Sequence, residues 1–324
     1  MILSTVLVIA LVFAAALLIS AALSPLETLS WWAGWNEEEI SPARASSIVT
    51  TPSGTQTKHY IVYLSGIASL TGRYLIPREK AFLRKLDSAT KDSIVIDDVF
   101  PYSPSGVSLL ASPRAFDAVW RGIQKLKLQG RFTILSGLIN LRNVFQVMVS
   151  ADHRYGPIFN QGAAHVIRTA LENAGYRKGA PVTIIGYSGG GQIGVGAAPF
   201  LKSQLGAPLR VISVGGVIAS DPGLNVLDRL HMIVGTRDNI RRIGGVVFPD
   251  RWPFIRHSNW NIAHDAGRIL YHRIAGVTHA GVRGYFGRID INGKSNSERT
   301  LERILDIMAI EPPHHQPADP SADQ

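Results

Sequence analysis

The stretch VTIIGYSGGGQIGVGAA, Val182 to Ala198, places a serine directly between an apolar run and a run of small residues. Val182, Thr183, Ile184 and Ile185 are all β-branched, the composition of a strand buried on both faces of a parallel sheet. Gly186, Tyr187, Ser188, Gly189 and Gly190 follow with no polar loop between, and Gln192 to Leu205 reads as a helix. A serine at such a corner adopts a strained backbone, and only tiny neighbours leave room for it. Strand before and helix after make this G-x-S-x-G a candidate nucleophile elbow, with Ser188 as nucleophile and Gly186 and Gly190 as its flanking glycines. An ordinary glycine-rich turn is the plainer alternative. The rest of the chain then has to supply a base, an acid and donors for an oxyanion.

Outward from that corner, strand and helix patterns alternate. His59 to Ser69 reads as a strand ending in a Ser-Gly turn, and Pro77 to Ala89 as a helix with Phe82, Leu83 and Leu86 at helical spacing. Ser93 to Phe100 is the next strand. Beyond the serine, strands fall within Gly206–Val217, Leu227–Asp238 and Gly267–His279, before a closing helix over Ser295–Ala309 with Ser295 or Ser297 at its N-cap. Such alternation predicts an α/β, doubly wound, mostly parallel sheet. There is no internal repeat. One interval is too long for a simple crossover: about eighty residues separate Phe100 from Val182. It carries helical patterns near Pro113–Leu128, Phe132–Ser150 and Ile158–Gly175, and a helical insertion is expected over about 103–156. In the middle pattern Ile134, Leu138, Leu141, Phe145 and Met148 share one face, opposite Ser136, Asn140, Asn143, Gln146 and Ser150. The apolar face is expected to pack on the sheet or to cover a substrate pocket as part of a lid.

Composition narrows the chemistry. The 324 residues are 46% hydrophobic and 18% charged, a globular balance, and contain no cysteine. Disulfides, cysteine metal sites and a thiol nucleophile are therefore excluded. Lysine and arginine exceed the acids 33 to 24, a net charge of +9. With no dense basic run and no nucleic-acid motif, a nucleic-acid partner is not expected; the charge fits scattered solvated residues or a membrane surface.

The N-terminus supports the membrane reading. Ile2 to Leu23 is apolar except for Ser4, Thr5 and Ser20, long enough to span a hydrocarbon core. Trp31, Trp32 and Trp35 follow, suiting an interfacial aromatic belt. Residues 1–23 are thus expected to be a single-pass anchor; a signal peptide cleaved near Ser20-Ala21-Ala22 is the alternative. Residues 24–57 form an interfacial segment and linker, Ser/Thr/Pro-rich from Ser41 to Thr57. The acidic flank Glu37, Glu38 and Glu39 says little about orientation, and the domain is expected outside the cytoplasm. Residues 311–324, with His314 and His315, read as a disordered tail.

The chain order resembles that of the α/β-hydrolase superfamily over about residues 58–310. The residues that carry the resemblance are Gly186-Tyr187-Ser188-Gly189-Gly190, then Gly235-Thr236-Arg237-Asp238, then Thr278-His279-Ala280-Gly281. The resemblance implies a triad of Ser188, Asp238 and His279, the acid following the penultimate strand and the histidine following the last. Asp221, after the preceding strand, competes with Asp238, and His231, His257, His264 and His272 compete less well with His279. An oxyanion hole is expected from the backbone N–H groups of Gly189 and Ile67. The loop carrying Ile67 departs from the family's common His-Gly form, having Ser65-Gly66 instead.

The expected function is a membrane-tethered serine hydrolase that cleaves an apolar or acyl-lipid ester through an acyl-enzyme, with no metal or cofactor. A thioesterase, amidase or acyltransferase would use the same residues. A non-catalytic binding protein on the same fold is a further alternative. A phosphate loop at Gly186–Gly194 is disfavoured, because the G-K-[S/T] ending is missing. Oligomeric state is left open.

Overall fold

The computed structural model describes residues 59–69, 75–103 and 134–310, together with Ala15 and Ile19. The expected anchor (those two residues apart), linker, tail and first insertion pattern lie outside the described residues. Among the described residues no helix is long and apolar enough to cross a membrane.

The β-branched run becomes strand β3, Val182–Tyr187, buried along its whole length. It lies at the centre of a six-stranded sheet with β1 (His59–Leu64), β2 (Ser93–Ile96), β4 (Leu209–Val214), β5 (Leu230–Gly235) and β6 (Ile269–Ile274). The order is β2-β1-β3-β4-β5-β6 and every pairing is parallel. Strands β3, β4 and β5 are buried along their whole length because helices cover both faces, whereas β6, an edge strand, buries only its end residues Ile269 and Ile274. Strand β2 stops at Ile96, short of the expected Phe100. Beyond it Val99, Phe100 and Tyr102 still bury their side chains, as loop residues packed against the core. Their apolar pattern therefore extends past the ladder that made it look like strand.

Alternation along the strands sorts the core into two layers. Tyr60, Val62 and Leu64 face one layer with Ile184 and Val211; Ile61 and Tyr63 face the other with Ile185 and Ile212. The first layer is closed by α3 (Gly156–Asn173), α4 (Gly189–Leu205) and the short α6 (Asn259–Asp265). Phe159, Ile167, Ile193 and Trp260 supply its side chains. The second is closed by α1 (Pro77–Ala89) and α7 (Asn296–Ile310), through Phe82, Leu86, Ile304 and Ile307. Helix α7 begins with a capping box. The Ser295 hydroxyl receives the Glu298 N–H at 3.2 Å, and the Glu298 carboxylate receives the Ser295 N–H at 2.9 Å. Ser295, rather than Ser297, is the cap.

Helix α2, Ile134–Ala151, corrects the expectation that its apolar face packs on the sheet. Its polar face is the buried one. Arg142, Asn143, Gln146 and Ser150 are at most 3% exposed, while Met148 is 42% exposed and Leu141 and Phe145 are half-buried. Ser150 is satisfied locally: its hydroxyl donates to Asn160 Oδ1 of α3 at 2.7 Å, and Asn160 Nδ2 donates back to Ser150 O at 3.1 Å. Burial of a polar face costs little where each group finds a partner. The apolar residues Phe145 and Met148 therefore do not form the packing face.

Candidate active site

The corner between β3 and α4 carries the strain that its sequence implies. Ser188 has φ 52° and ψ −120°, one of two non-glycine residues with positive φ among those described. The glycines around it are packed too tightly for side chains. A Cβ on Gly186 would lie 2.5 Å from Gly190 O, and one on Gly190 would lie 2.5 Å from Leu64 O. The Ser188 N–H donates to Val214 O at 2.9 Å, fixing the corner to β4.

Two further loops converge on the serine. Asp238 follows β5 and His279 follows β6, and parallel neighbouring strands deliver both to the same sheet edge. Ser188 Oγ is 3.0 Å from His279 Nε2, and His279 Nδ1 is 3.0 Å from Asp238 Oδ2. Asp238 also accepts the Tyr285 hydroxyl at 2.7 Å and the Ile240 N–H at 2.9 Å. Burial alone would push this carboxyl up, but the hydrogen bonds and charge of His279, with Tyr285 and the Ile240 amide, outweigh it and leave it below the usual aspartate range. The group stays ionised near neutrality and can hold the imidazole as a Nδ1–H tautomer, with Nε2 free to take a proton from Ser188. Tyr187 adds a second restraint on the histidine. Its ring stacks on the imidazole at 5.7 Å between centroids, and its hydroxyl donates to His279 O at 2.8 Å.

The expected oxyanion residues stand beside the serine. Gly189 is the first residue of α4, so its N–H has no intrahelical acceptor. Ile67 lies against it: a Cβ on Gly189 would meet Ile67 Cγ2 at 2.9 Å. Gly66, Ile67, Ser188 and His279 line a cavity of about 310 Å³ whose other walls include Ile240 and Phe286. Glu79, on α1, is buried on that wall and accepts the Tyr63 hydroxyl at 2.9 Å.

The competing residues lie elsewhere. Asp221 binds the Gly223 N–H at 2.7 Å and Gln192 Nε2 at 2.9 Å, capping a short 3-10 turn and anchoring α4. His231 pairs with His272 across β5 and β6 at 3.1 Å. His264 is exposed beside Asp265, and His257 is exposed. Among the described residues no cluster of His, Asp or Glu could hold a metal ion. Sequence reading did not single out Tyr285 or Glu79, and it placed Asn143 only on the polar face of a helix. Tyr187 was visible only as the variable residue of the elbow.

A doubly wound parallel sheet carries a strained Ser after β3, an acid after β5 and a histidine after β6, joined in one hydrogen-bonded line. The chain has the α/β-hydrolase fold. No family model matches it, and no curated protein does. Among solved structures it is similar to a dienelactone-hydrolase-like promiscuous phosphotriesterase from metagenomic libraries, at 11% identity and TM-score 0.42 over 80% of this chain and 89% of that one. An arylesterase matches at 12% identity and TM-score 0.41, over 79% of this chain and 75% of that one. A hyperthermophilic esterase from the archaeon Pyrobaculum calidifontis matches at 13% and 0.40, over 80% of each chain. At such identities and scores these likenesses carry no argument about what the chain does.

The two aspartates differ in their electrostatics, which gives a test of the assignment. Burial pushes Asp221 up from 3.8 to about 6, against the lowering contacts of Gly223 and Gln192. Its folded form therefore favours the neutral acid. The stability linked to it is complete below about pH 4 and is lost as pH rises through about 6. Asp238 has the opposite sign: its contribution is present above the unfolded aspartate value and is lost as pH falls through its lower folded value. Urea unfolding of the wild type relative to Asp221→Asn, which cannot ionise, should thus lose up to about 3 kcal/mol between about pH 4 and about pH 7. A difference that grows with pH would contradict this placement of Asp221.

Proposed function

We propose that this chain is a serine hydrolase that cleaves a carboxylic ester through an acyl-enzyme on Ser188. The observation that carries the reading is the unbroken line from Ser188 Oγ through His279 to Asp238, 3.0 Å at each step, on a strained corner. A free hydroxyl is a weak nucleophile near neutral pH, and a base at hydrogen-bond distance removes that limit. Ser188 Oγ attacks the ester carbonyl while its proton passes to His279 Nε2. The oxyanion is held by the N–H groups of Gly189 and Ile67. The tetrahedral intermediate collapses, expelling the alcohol as it takes the proton from His279. Water, deprotonated by the same imidazole, then releases the acid and restores Ser188.

An apolar ester or acyl lipid fits the surroundings best. Ile67, Ile76, Ile240 and Phe286 line the cavity. Beyond Ile240, on α5 (Ile240–Val247) and the turn after it, Ile243, Val246, Trp252 and Phe254 are exposed as an apolar surface. Such surfaces mark contact with apolar partners. A membrane anchor at residues 2–23, with the domain on the extracytoplasmic side, belongs to the same proposal and rests on the apolar length of that segment.

Turnover of short- and long-chain p-nitrophenyl esters tests the chemistry. Ser188→Ala should abolish it with the fold intact, and Asp238→Asn should lower kcat by about 10⁴-fold, as loss of the tautomer-holding carboxylate does elsewhere. Asp221→Asn should do far less. Residual wild-type turnover in Ser188→Ala, or a larger loss from Asp221→Asn, would contradict the assignment. For the anchor, deletion of residues 1–23 should move the activity from the membrane to the soluble fraction. A mature protein that begins near Leu23 would identify a cleaved signal peptide instead.

A further inference from the structure

The carbonyls of Ser65, Gly66, Ile67 and Ser69 in the loop after β1 are each engaged. The Tyr102 hydroxyl donates to Ser65 O at 2.7 Å, and the Ser69 N–H donates to Gly66 O at 3.0 Å. Within a planar trans peptide the C=O and N–H point in opposite directions. Because the Gly66 carbonyl and the Ile67 N–H share one peptide, the bond to Ser69 aims that N–H the other way. Two further acceptors, Ile67 O and Ser69 O, are both taken by Asn143 Nδ2 of α2, each at 2.7 Å. Asn143 is completely buried, and its Oδ1 accepts Arg142 Nη1 at 3.2 Å. That guanidinium nitrogen also donates to Tyr102 O at 3.2 Å, tying the clamp back to the residue that holds Ser65.

The same helix face reaches the second oxyanion residue. Val147 is four residues from Asn143, and residues at that spacing lie on one side of a helix. A Cβ on Gly189 would fall 2.6 Å from Val147 Cγ2. Helix α2 therefore presses on Ile67 through a hydrogen-bonded side chain and on Gly189 through an apolar one. This accounts for the burial of Asn143 on its polar face: the carbonyls of the loop require N–H donors.

We propose that Asn143 is the positioning residue of the oxyanion hole, holding the Ile67 N–H at a fixed separation from that of Gly189. The proposal rests on the serine-hydrolase reading above and extends it to a residue that touches no substrate. The chemistry selects an amide. Leucine has similar size but leaves two buried acceptors unpaired, and serine can satisfy only one of them.

Asn143→Leu and Asn143→Ser in the full-length chain test this with p-nitrophenyl butyrate, rates being normalised to titrated active sites. The account predicts that kcat falls about 100-fold or more in the leucine variant and about tenfold in the serine variant, with KM within about threefold of wild type. A trifluoromethyl ketone supplies the readout that a purely structural role would not move. Ser188 Oγ adds to its carbonyl, the hydroxyl proton passes to His279, and the adduct carries a tetrahedral oxyanion. Its Ki should rise by the factor lost from kcat/KM. If the leucine variant is insoluble, the serine variant carries the test. Wild-type kcat in either soluble variant, or lost kcat with an unchanged ketone Ki, overturns the clamp alone. A wild-type protein that neither hydrolyses the ester nor forms the ketone adduct overturns the hydrolase reading and the clamp with it.

Discussion

The positive φ of Ser188 is the constraint on which the rest of the site depends. A non-glycine residue there costs about 1–3 kcal/mol and persists only where its surroundings over-determine it. They do so here from three sides: Val214 O takes the Ser188 N–H, Gly190 sits against Leu64 O, and Gly186 against Gly190 O. The corner points Oγ at His279 rather than into the sheet. A side chain on Gly186 would push β3 from α4, and one on Gly190 would push α4 from the end of β1.

Everything else reaches the corner because the strands are parallel and adjacent. The C-terminal ends of β1, β3, β5 and β6 bring together the Ile67 loop, Ser188, Asp238 and His279, whose sequence positions are far apart. Asp238 is held by more than the histidine. Tyr285 donates to its Oδ2 and accepts the Gly235 N–H, so one phenol links the acid to the end of the strand that presents it. Helix α2 completes the assembly from the opposite side, which makes the long interval before β3 a structural part of the site.

Much of this was legible in the sequence, for identifiable reasons. Doubly buried strands are written as β-branched runs, and the elbow needs small residues at fixed spacing. Ser188 was therefore readable from its own stretch, whereas Asp238 and His279 were singled out from Asp221 and the other histidines by the resemblance in chain order. Helix α2 was not. Periodicity shows which residues share a face, but burial of that face depends on partners across space. Asn143 and Ser150 found theirs in Ile67 O, Ser69 O and Asn160. The end of β2 was obscured similarly, since Val99 and Phe100 are buried without being in the ladder. Tyr285 and Glu79 carried no local signal, because their roles exist only once β5, α1 and the post-β6 loop have met.

The most direct measurement of the central claim is peptide mapping by mass spectrometry after reaction with a fluorophosphonate. Such a probe phosphonylates a serine only where a base activates it and an oxyanion hole receives the developing charge. The account predicts a single adduct, on Ser188, that disappears in His279→Ala. An adduct on another serine, or no adduct on the folded protein, would contradict it.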